Sequence, residues 1–237
     1  MGVAFDYAPE RPENIDQILN GLDRYNPETT TIFQEYVAQQ CADQTYDCYA
    51  NLALLKLYQF NPHLTRDESI INILVKSLTV FPSPDYSLAL SLLPPHVTLS
   101  TSKTELSEAV ANISALHSHL NNAEYASFWS TLESTDDFSD LVADVQGFED
   151  TMRIRIAVVV SQCMQSIRVQ DMQSWLNLSN ESKFNTFIGD VCGWKIEGDK
   201  VVVPLNKENE ARSVVQREDV KFGQFARLVK RSYEVQA

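Results

Sequence analysis

Apolar residues recur at the spacing of an α-helix along most of this chain. The clearest run has apolar side chains at i, i+3, i+4, i+7 and i+8 within residues 50–58: Ala50, Ala53, Leu54, Leu57 and Tyr58. Such a run forms one apolar face of a packed helix. We therefore predict a helix that begins near Thr45, has Asp47 in its first turn and ends at Asn61 and Pro62.

Another helix is predicted immediately before this one. Asn26 can cap its start, and Pro27 suits the first helical position because its missing N–H needs no partner there. Glu28 follows at the end of the helix where the dipole favours a negative charge. The pattern predicts a helix that begins at Pro27.

The strongest helix breakers are absent over long stretches. No glycine lies between Gly21 and Gly147, and no proline lies between Pro95 and Pro204. Two Ser/Thr-x-x-Glu capping boxes, at residues 65–68 and 102–105, predict helix starts. Apolar residues at helical spacing follow each box: Ile70, Ile73, Leu74 and Leu78, then Leu106, Val110, Ile113 and Leu116.

Three more helices are predicted over residues 85–93, 125–132 and 138–145. Helices of this length joined by short connections are typical of stacked helical hairpins. We expect a mostly α fold, in which a flexible tail at residues 1–14 precedes a HEAT-like helical-repeat array at residues 15–146.

The pattern changes after Gly147. A long helix is predicted from Phe148, followed by a short helix at residues 169–176 and a third that Asn180 caps and Gly193 ends. A β-hairpin then turns at Gly198 and Asp199. Its register predicts one buried face made of Trp194, Ile196, Val201 and Val203.

Val202 points to the other side of this hairpin. Helices followed by a β-hairpin occur in this order in a winged helix, so we assign residues 147–206 to a linking helix and a winged-helix (PCI-type) module. Residues 207–237 remain as a linker and a C-terminal helix. That helix places apolar side chains at helical spacing: Phe222, Phe225, Ala226, Val229 and Tyr233. Because this apolar stripe has no obvious place in the core, we expect Val202, Phe222, Phe225 and Val229 to form the partner interface.

Charge divides the chain into two parts. The formal net charge is −13, with 6 Lys and Arg against 22 Asp and Glu in residues 1–150, and 13 against 10 in residues 151–237. An acidic chain is poorly suited to bind nucleic acid, which needs cations along the phosphates.

No secretion signal or membrane-spanning run is apparent, so a cytoplasmic protein is expected. The four cysteines include no C-x-x-C pair, and we expect buried thiols.

No catalytic, cofactor or metal site is predicted. The glycines form no phosphate-binding motif, and His117 and His119 point to different faces of a helix. An acidic cluster near residue 140 lacks the features of a calcium loop and is interpreted as a solvated helix end: Glu133, Asp136, Asp137, Asp140 and Asp144. The tryptophans are expected in the core: Trp129, Trp175 and Trp194.

The order of a helical array and a winged helix resembles the PCI class of subunits, shared by the proteasome lid, the COP9 signalosome and translation initiation factor 3. Two segments are more specific, G-L-D-R-Y-N-P-E at residues 21–28 and Y-D-x-x-A-N-L-A-x-L-K-L-Y-Q-F-N-P at residues 46–62. They resemble the k-subunit family of eukaryotic translation initiation factor 3. Shorter matches support this: F-W at 128–129, G-F-E-D at 147–150 with Arg153 following, and Gly193 with Trp194.

This resemblance covers roughly residues 15–204, except for residues 83–103. It implies a noncatalytic subunit at the periphery of the factor, beside the l subunit, in a complex that binds the small ribosomal subunit. It implies no catalytic residue and no cofactor. Three alternatives remain open: a small PCI subunit of the proteasome lid or COP9 signalosome, a winged-helix nucleic-acid-binding protein, and an unrecognised enzyme. The predicted third helix of the winged helix offers only Lys183 against Glu181 and Asp190, which favours protein binding.

Overall fold

The computed structural model describes residues 8–98, 104–211 and 221–234 of the chain. These residues form thirteen α-helices and one small three-stranded sheet. The prediction of a mostly helical protein is therefore confirmed.

Nine helices precede Gly147. They are α1 (Glu13–Asn20), α2 (Thr30–Asp43), α3 (Cys48–Phe60), α4 (Asp67–Leu78), α5 (Asp85–Leu92), α6 (Pro95–Thr98), α7 (Glu105–Asn121), α8 (Tyr125–Leu132) and α9 (Asp136–Ala143). The elements that follow are α10 (Phe148–Cys163), β1 (Ser166–Arg168), α11 (Val169–Leu176), α12 (Glu181–Thr186) with a π-helical turn (Phe187–Val191), β2 (Lys195–Glu197), β3 (Lys200–Val202) and α13 (Phe222–Glu234).

Local capping explains where α2 and α3 begin. The Asn26 side chain accepts a hydrogen bond from the Glu28 N–H, as predicted, but residues 27–29 form a 3₁₀ turn before α2 starts at Thr30. Asp47 is not in the first turn of α3. Its carboxylate accepts a bond of 3.1 Å from the Ala50 N–H, which makes Asp47 the N-cap and moves the helix start from Thr45 to Cys48.

The two predicted capping boxes are not the caps of α4 and α7. Arg66 precedes α4 and makes no side-chain cap, so the box beginning at Thr65 is wrong. Ser102 lies outside the described residues. Thr104 caps α7 through a reciprocal box with Ser107, with bonds of 3.2 Å and 3.0 Å. The apolar stripes were more reliable than the caps, since the four apolar side chains predicted for α4 are all buried.

A single cluster of buried apolar side chains extends from Ile15 to Val203. Polar bonds also join the predicted modules. Arg155 on α10 donates to the carbonyls of Phe81 (2.5 Å) and Val80 (3.0 Å), and the Trp129 indole donates to the Trp175 carbonyl at 2.8 Å. The division of the chain at residues 14, 146 and 206 stays a prediction. These contacts cross the predicted boundary at residue 146.

Residues 8–14 are held in place by an ion pair. The Arg11 guanidinium donates two bonds, of 2.7 Å and 3.0 Å, to the buried Asp47 carboxylate at the start of α3. Helix α1 also begins at Glu13, inside the segment predicted to be a flexible tail. Residues 1–7 lie outside the described residues.

The sheet has the order β1-β3-β2 and is antiparallel throughout. The predicted hairpin register is confirmed, with Ile196 opposite Val201. Strand β1 was missed, because three residues are too few to reveal an alternating pattern. Trp194, Val201 and Val203 are buried, but Ile196 is 39% exposed. It lies on the edge strand β2, which has a neighbour on one side only.

The chain after β3 returns to the C-terminal end of α10. The Asn209 amide donates to the carbonyls of Ser161 (3.0 Å), Met164 (3.2 Å) and Pro204 (3.0 Å). Its oxygen accepts the Asn206 N–H at 2.8 Å. These bonds fix the position from which the chain continues toward α13.

Candidate interaction surfaces

Helix α13 presents an apolar face to solvent. Phe225, Leu228 and Val229 are 57%, 67% and 41% exposed, and they lie at i, i+3 and i+4 on one side of the helix. Every side chain described in α13 is exposed. Phe222 begins the helix, but its side chain lies outside the described residues. An exposed amphipathic helix of this kind can bury its apolar face in a groove of another protein.

The structure places Phe225 and Val229 at exposed positions, which an interface requires. Leu228 was missed, although its spacing of three residues from Phe225 was available in the sequence. The basic side chains Arg227, Lys230 and Arg231 occupy the other side of the helix. Phe225, Leu228 and Val229 together form what we call the α13 apolar face.

The outer side of the sheet is a separate surface. Val202 on β3 is partly buried. Its partners in register are Ser166 on β1 and Lys195 on β2. It is not brought together with the α13 apolar face in the described structure, where the α13 side chains are exposed. The three residues of β2 are exposed, and their outer backbone groups form a sheet edge to which another strand could be added.

This outer side of the sheet is also more basic than the chain as a whole. Arg168 and Lys200 are paired in register, and Glu197 faces Lys200 from β2. Arg168 forms an ion pair of 2.8 Å with Asp171. Lys195 adds a further cation beside Val202. The surface combines an aliphatic centre with a basic rim.

An acidic groove lies where helices α4, α7 and α9 meet. Its volume is about 670 Å³. Seven carboxylates line it: Asp67, Glu68, Glu105, Glu108, Asp137, Asp140 and Asp144. Its floor is apolar, with Ile71, Leu106, Ala109 and Leu141, and no Lys, Arg or His side chain lines it. We call this feature the acidic groove.

The sequence analysis found only the α9 part of the acidic groove. Asp137, Asp140 and Asp144 were interpreted as a solvated helix end, and they are exposed. The carboxylates of α4 and α7 are distant in sequence, and no local pattern connects them to α9. Their meeting is decided by the packing of the three helices.

The thiols have little nucleophilic character where they are buried. Burial raises the pKa of Cys41 to about 11, of Cys48 to about 12 and of Cys192 to about 11, so these groups are protonated at neutral pH. All four cysteines are free thiols, as predicted. Cys163 is exposed, however, and the expectation that it is buried is wrong, because the last turn of α10 turns this position to solvent.

The remaining polar groups form no further site in the described part of the chain. No group of His, Cys, Asp and Glu side chains there is arranged to hold a metal ion. His117 stacks on Tyr86, with ring centroids 4.1 Å apart, and burial lowers its pKa. Trp129 and Trp194 are buried as expected, and Trp175 is partly buried. Among the described residues, no helix has the length and apolar character needed to span a membrane.

Comparison with known proteins gives consistent similarities. Residues 65–215 match the model of the CSN8/PSMD8/EIF3K family. The chain is 61% identical to a protein of Sclerotinia sclerotiorum named eukaryotic translation initiation factor 3 subunit K, over 99% of both chains. Proteins of the same name from Phaeosphaeria nodorum and Aspergillus oryzae are 59% and 52% identical, again over 99% of both chains.

Proposed function

Because the chain belongs to the CSN8/PSMD8/EIF3K family, and within it to the subunit K proteins of eukaryotic translation initiation factor 3, we propose that it is a noncatalytic scaffold and interaction subunit of that factor. In this role it acts in recruitment to the small ribosomal subunit through protein–protein contacts in the cytoplasm. The observation that carries the proposal is identity of 61% over 99% of both chains.

The same evidence separates the alternatives within the family. The family model also includes CSN8 and PSMD8 proteins, so a subunit of the signalosome or of the proteasome lid is the alternative within the family. Relatives that are 52–61% identical along the whole chain are nevertheless named subunit K. We therefore place this chain in the initiation factor.

We infer that the helices before Gly147 form a HEAT-like array and that residues 147–206 form a winged helix. The chain order supports this, since α10, α11 and α12 precede the β2–β3 hairpin. Strand β1 completes a three-stranded sheet beside β3. Such a module has an open sheet edge and an exposed outer side, both suited to a neighbouring subunit.

The direct neighbour in this proposal is the l subunit. The α13 apolar face is the first contact surface of the predicted interface, in which Phe222 belongs to the same stripe of the sequence. Val202, on the outer side of the sheet, belongs to a second contact surface. Exposed apolar side chains of this size are the kind that dominate binding energy once they are desolvated. Phe225 and Leu228, which are more than half exposed, are the strongest anchors.

Affinity purification of the tagged chain from its own cells tests the proposal. Mass spectrometry should find initiation factor 3 subunits in equal amounts at low salt, with the l subunit retained longest as the salt concentration rises. Proteasome-lid or signalosome subunits in their place, or no stable companion, would contradict it.

A second candidate function is RNA binding by the outer side of the sheet. The basic residues Arg168, Lys195 and Lys200 favour it. The full chain would then bind single-stranded RNA with a salt-dependent affinity, and Lys195→Gln/Lys200→Gln would weaken it. Lys56→Gln on α3 is the control. Equal affinity of all three proteins would exclude this surface as the RNA site.

A further inference from the structure

An apolar cavity lies where helices α3, α4, α6 and α7 meet. Its volume is about 410 Å³. Six buried side chains form its walls: Leu55, Tyr58, Ile70, Leu93, Val97 and Leu106. We propose that this cavity is a binding site for a small, neutral and mainly apolar molecule that carries a carbonyl oxygen.

The cavity is larger than an ordinary packing defect. Voids in close-packed protein interiors seldom exceed the size of a water molecule, whereas cavities of about 300–1,000 Å³ are typical of small-molecule sites. It is also more enclosed than the acidic groove, with which it shares Asp67 and Leu106. A partner helix needs an open groove, so an enclosed cavity of this size suits a small molecule better.

Tyr58 in the cavity wall has a hydrogen-bond donor that is not used. The side chain is 5% exposed, and its oxygen accepts a bond of 2.8 Å from the Gln34 amide. The same amide nitrogen donates to the Leu64 carbonyl at 3.3 Å, which fixes its orientation. Among the described residues, no acceptor meets the proton of the Tyr58 hydroxyl. A buried donor without an acceptor costs free energy, and a ligand carbonyl in the cavity would supply the acceptor.

The surroundings of the cavity favour a neutral ligand. Asp67 is exposed at its edge, and no Lys or Arg is among the described side chains that line it. A ligand charge of either sign would lose its hydration among the apolar walls, and Asp67 would in addition repel an anion. The apolar part of a ligand is bound in proportion to the area that it removes from water.

Fluorescence titration of the purified full-length chain with Prodan tests the site. Prodan is a neutral naphthalene that bears a ketone and a dimethylamino group, and its emission moves to shorter wavelengths when it leaves water. We expect saturable binding of one dye per chain, with a Kd on the order of 50 μM. The absence of saturable binding would overturn the proposal.

Cavity-filling variants test where the dye binds. Val97→Phe places a ring in the cavity and should weaken binding roughly ten-fold or more. The matched control Val158→Phe changes an exposed position on α10 and should leave the Kd unchanged. Phe225→Asp/Val229→Asp should also bind normally, because it alters only the α13 apolar face. Equal Kd values for Val97→Phe and Val158→Phe would contradict binding in the cavity.

The hydrogen bond from Tyr58 is tested separately. Tyr58→Phe keeps the ring and removes the donor, so it should raise the Kd about five-fold, as expected for one hydrogen bond. Tyr25→Phe lies outside the cavity at a half-exposed position and should leave the Kd unchanged. If both variants bind the dye equally well, the carbonyl contact is excluded and the proposed class of ligand is wrong.

Methyl NMR of the unmodified chain locates the dye even where a variant fails to fold. Nuclear Overhauser effects are expected between the ring protons of the dye and the methyl groups of Leu55, Ile70 and Val97. Effects confined to Leu228 and Val229 would place the dye on α13 and overturn the proposal. Because none of these measurements involves a partner subunit, their result is independent of the proposed function.

Discussion

At the scale of single residues, the Asn209 side chain joins the C-terminal end of α10 to the segment after β3. It is 9% exposed, and its amide meets three backbone carbonyls from α10 and from the segment after β3. We expect Asn209→Ala to lower the free energy of unfolding by about 1–2 kcal/mol, because three partly buried carbonyls would each lose a donor. Urea unfolding followed by circular dichroism measures this change.

Asn121, at the exposed end of α7, provides the control for that prediction. Its replacement by alanine should change the free energy of unfolding by less than about 0.5 kcal/mol. Equal effects of the two substitutions would show that the Asn209 bonds contribute little.

The free energy of unfolding is expected to depend on pH through His117. Burial lowers its pKa below 6.5, so the unfolded chain takes up a proton more readily than the folded one. Its contribution to stability is therefore present above 6.5 and is lost as the pH falls through that value toward the folded pKa. His117→Phe keeps an aromatic ring against Tyr86 but cannot titrate.

The free energy of unfolding should decrease more for the unmodified chain than for His117→Phe between roughly pH 7.5 and pH 5.5. Urea titrations at the two pH values provide the comparison, and other titrating groups cancel in the difference. Equal losses in the two proteins would mean that His117 has the same pKa in both states.

At the scale of secondary-structure elements, α13 differs from the other described helices in that all of its described side chains, the apolar ones included, are exposed. Phe225→Asp/Val229→Asp should weaken binding to the proposed partner subunit roughly hundred-fold or more, because two proposed apolar anchors would become charged. The chain should remain folded, since neither side chain belongs to the core. Pull-down and circular dichroism check the two statements separately.

The matched control is Arg227→Gln/Arg231→Gln, which changes the net charge by the same amount on the other side of α13. It should retain most of the partner binding, because the proposed contact is apolar. Unchanged binding by Phe225→Asp/Val229→Asp would instead remove α13 from the interface.

At the scale of the whole molecule, negative charge opposes the folded state. The net charge is −13, and seven carboxylates meet in one groove. Raising NaCl from about 20 mM to about 500 mM should therefore raise the Tm by a few degrees, because salt screens this repulsion. Asp140→Asn/Asp144→Asn should show a smaller rise in differential scanning calorimetry. A Tm that does not increase with salt would contradict the idea.

The sequence by itself determined much of the local structure of this protein. Helical periodicity placed α8 and α11 to the residue, and Asn26 and Asn180 cap as predicted. The hairpin register also followed from its two-residue turn. Each of these features depends on interactions among residues close together in the chain, which a linear pattern records. The two sequence segments that most specifically resemble the family, residues 21–28 and 46–62, are continuous in the same way.

Only the tertiary structure decided how distant segments meet. The acidic groove joins carboxylates from α4, α7 and α9, and β1 pairs with a strand more than thirty residues later. The exposure of Ile196 likewise depends on β2 being the edge of the sheet. Burial and electrostatic fields are set by neighbours in space, and spacing along the chain does not specify which neighbours those are.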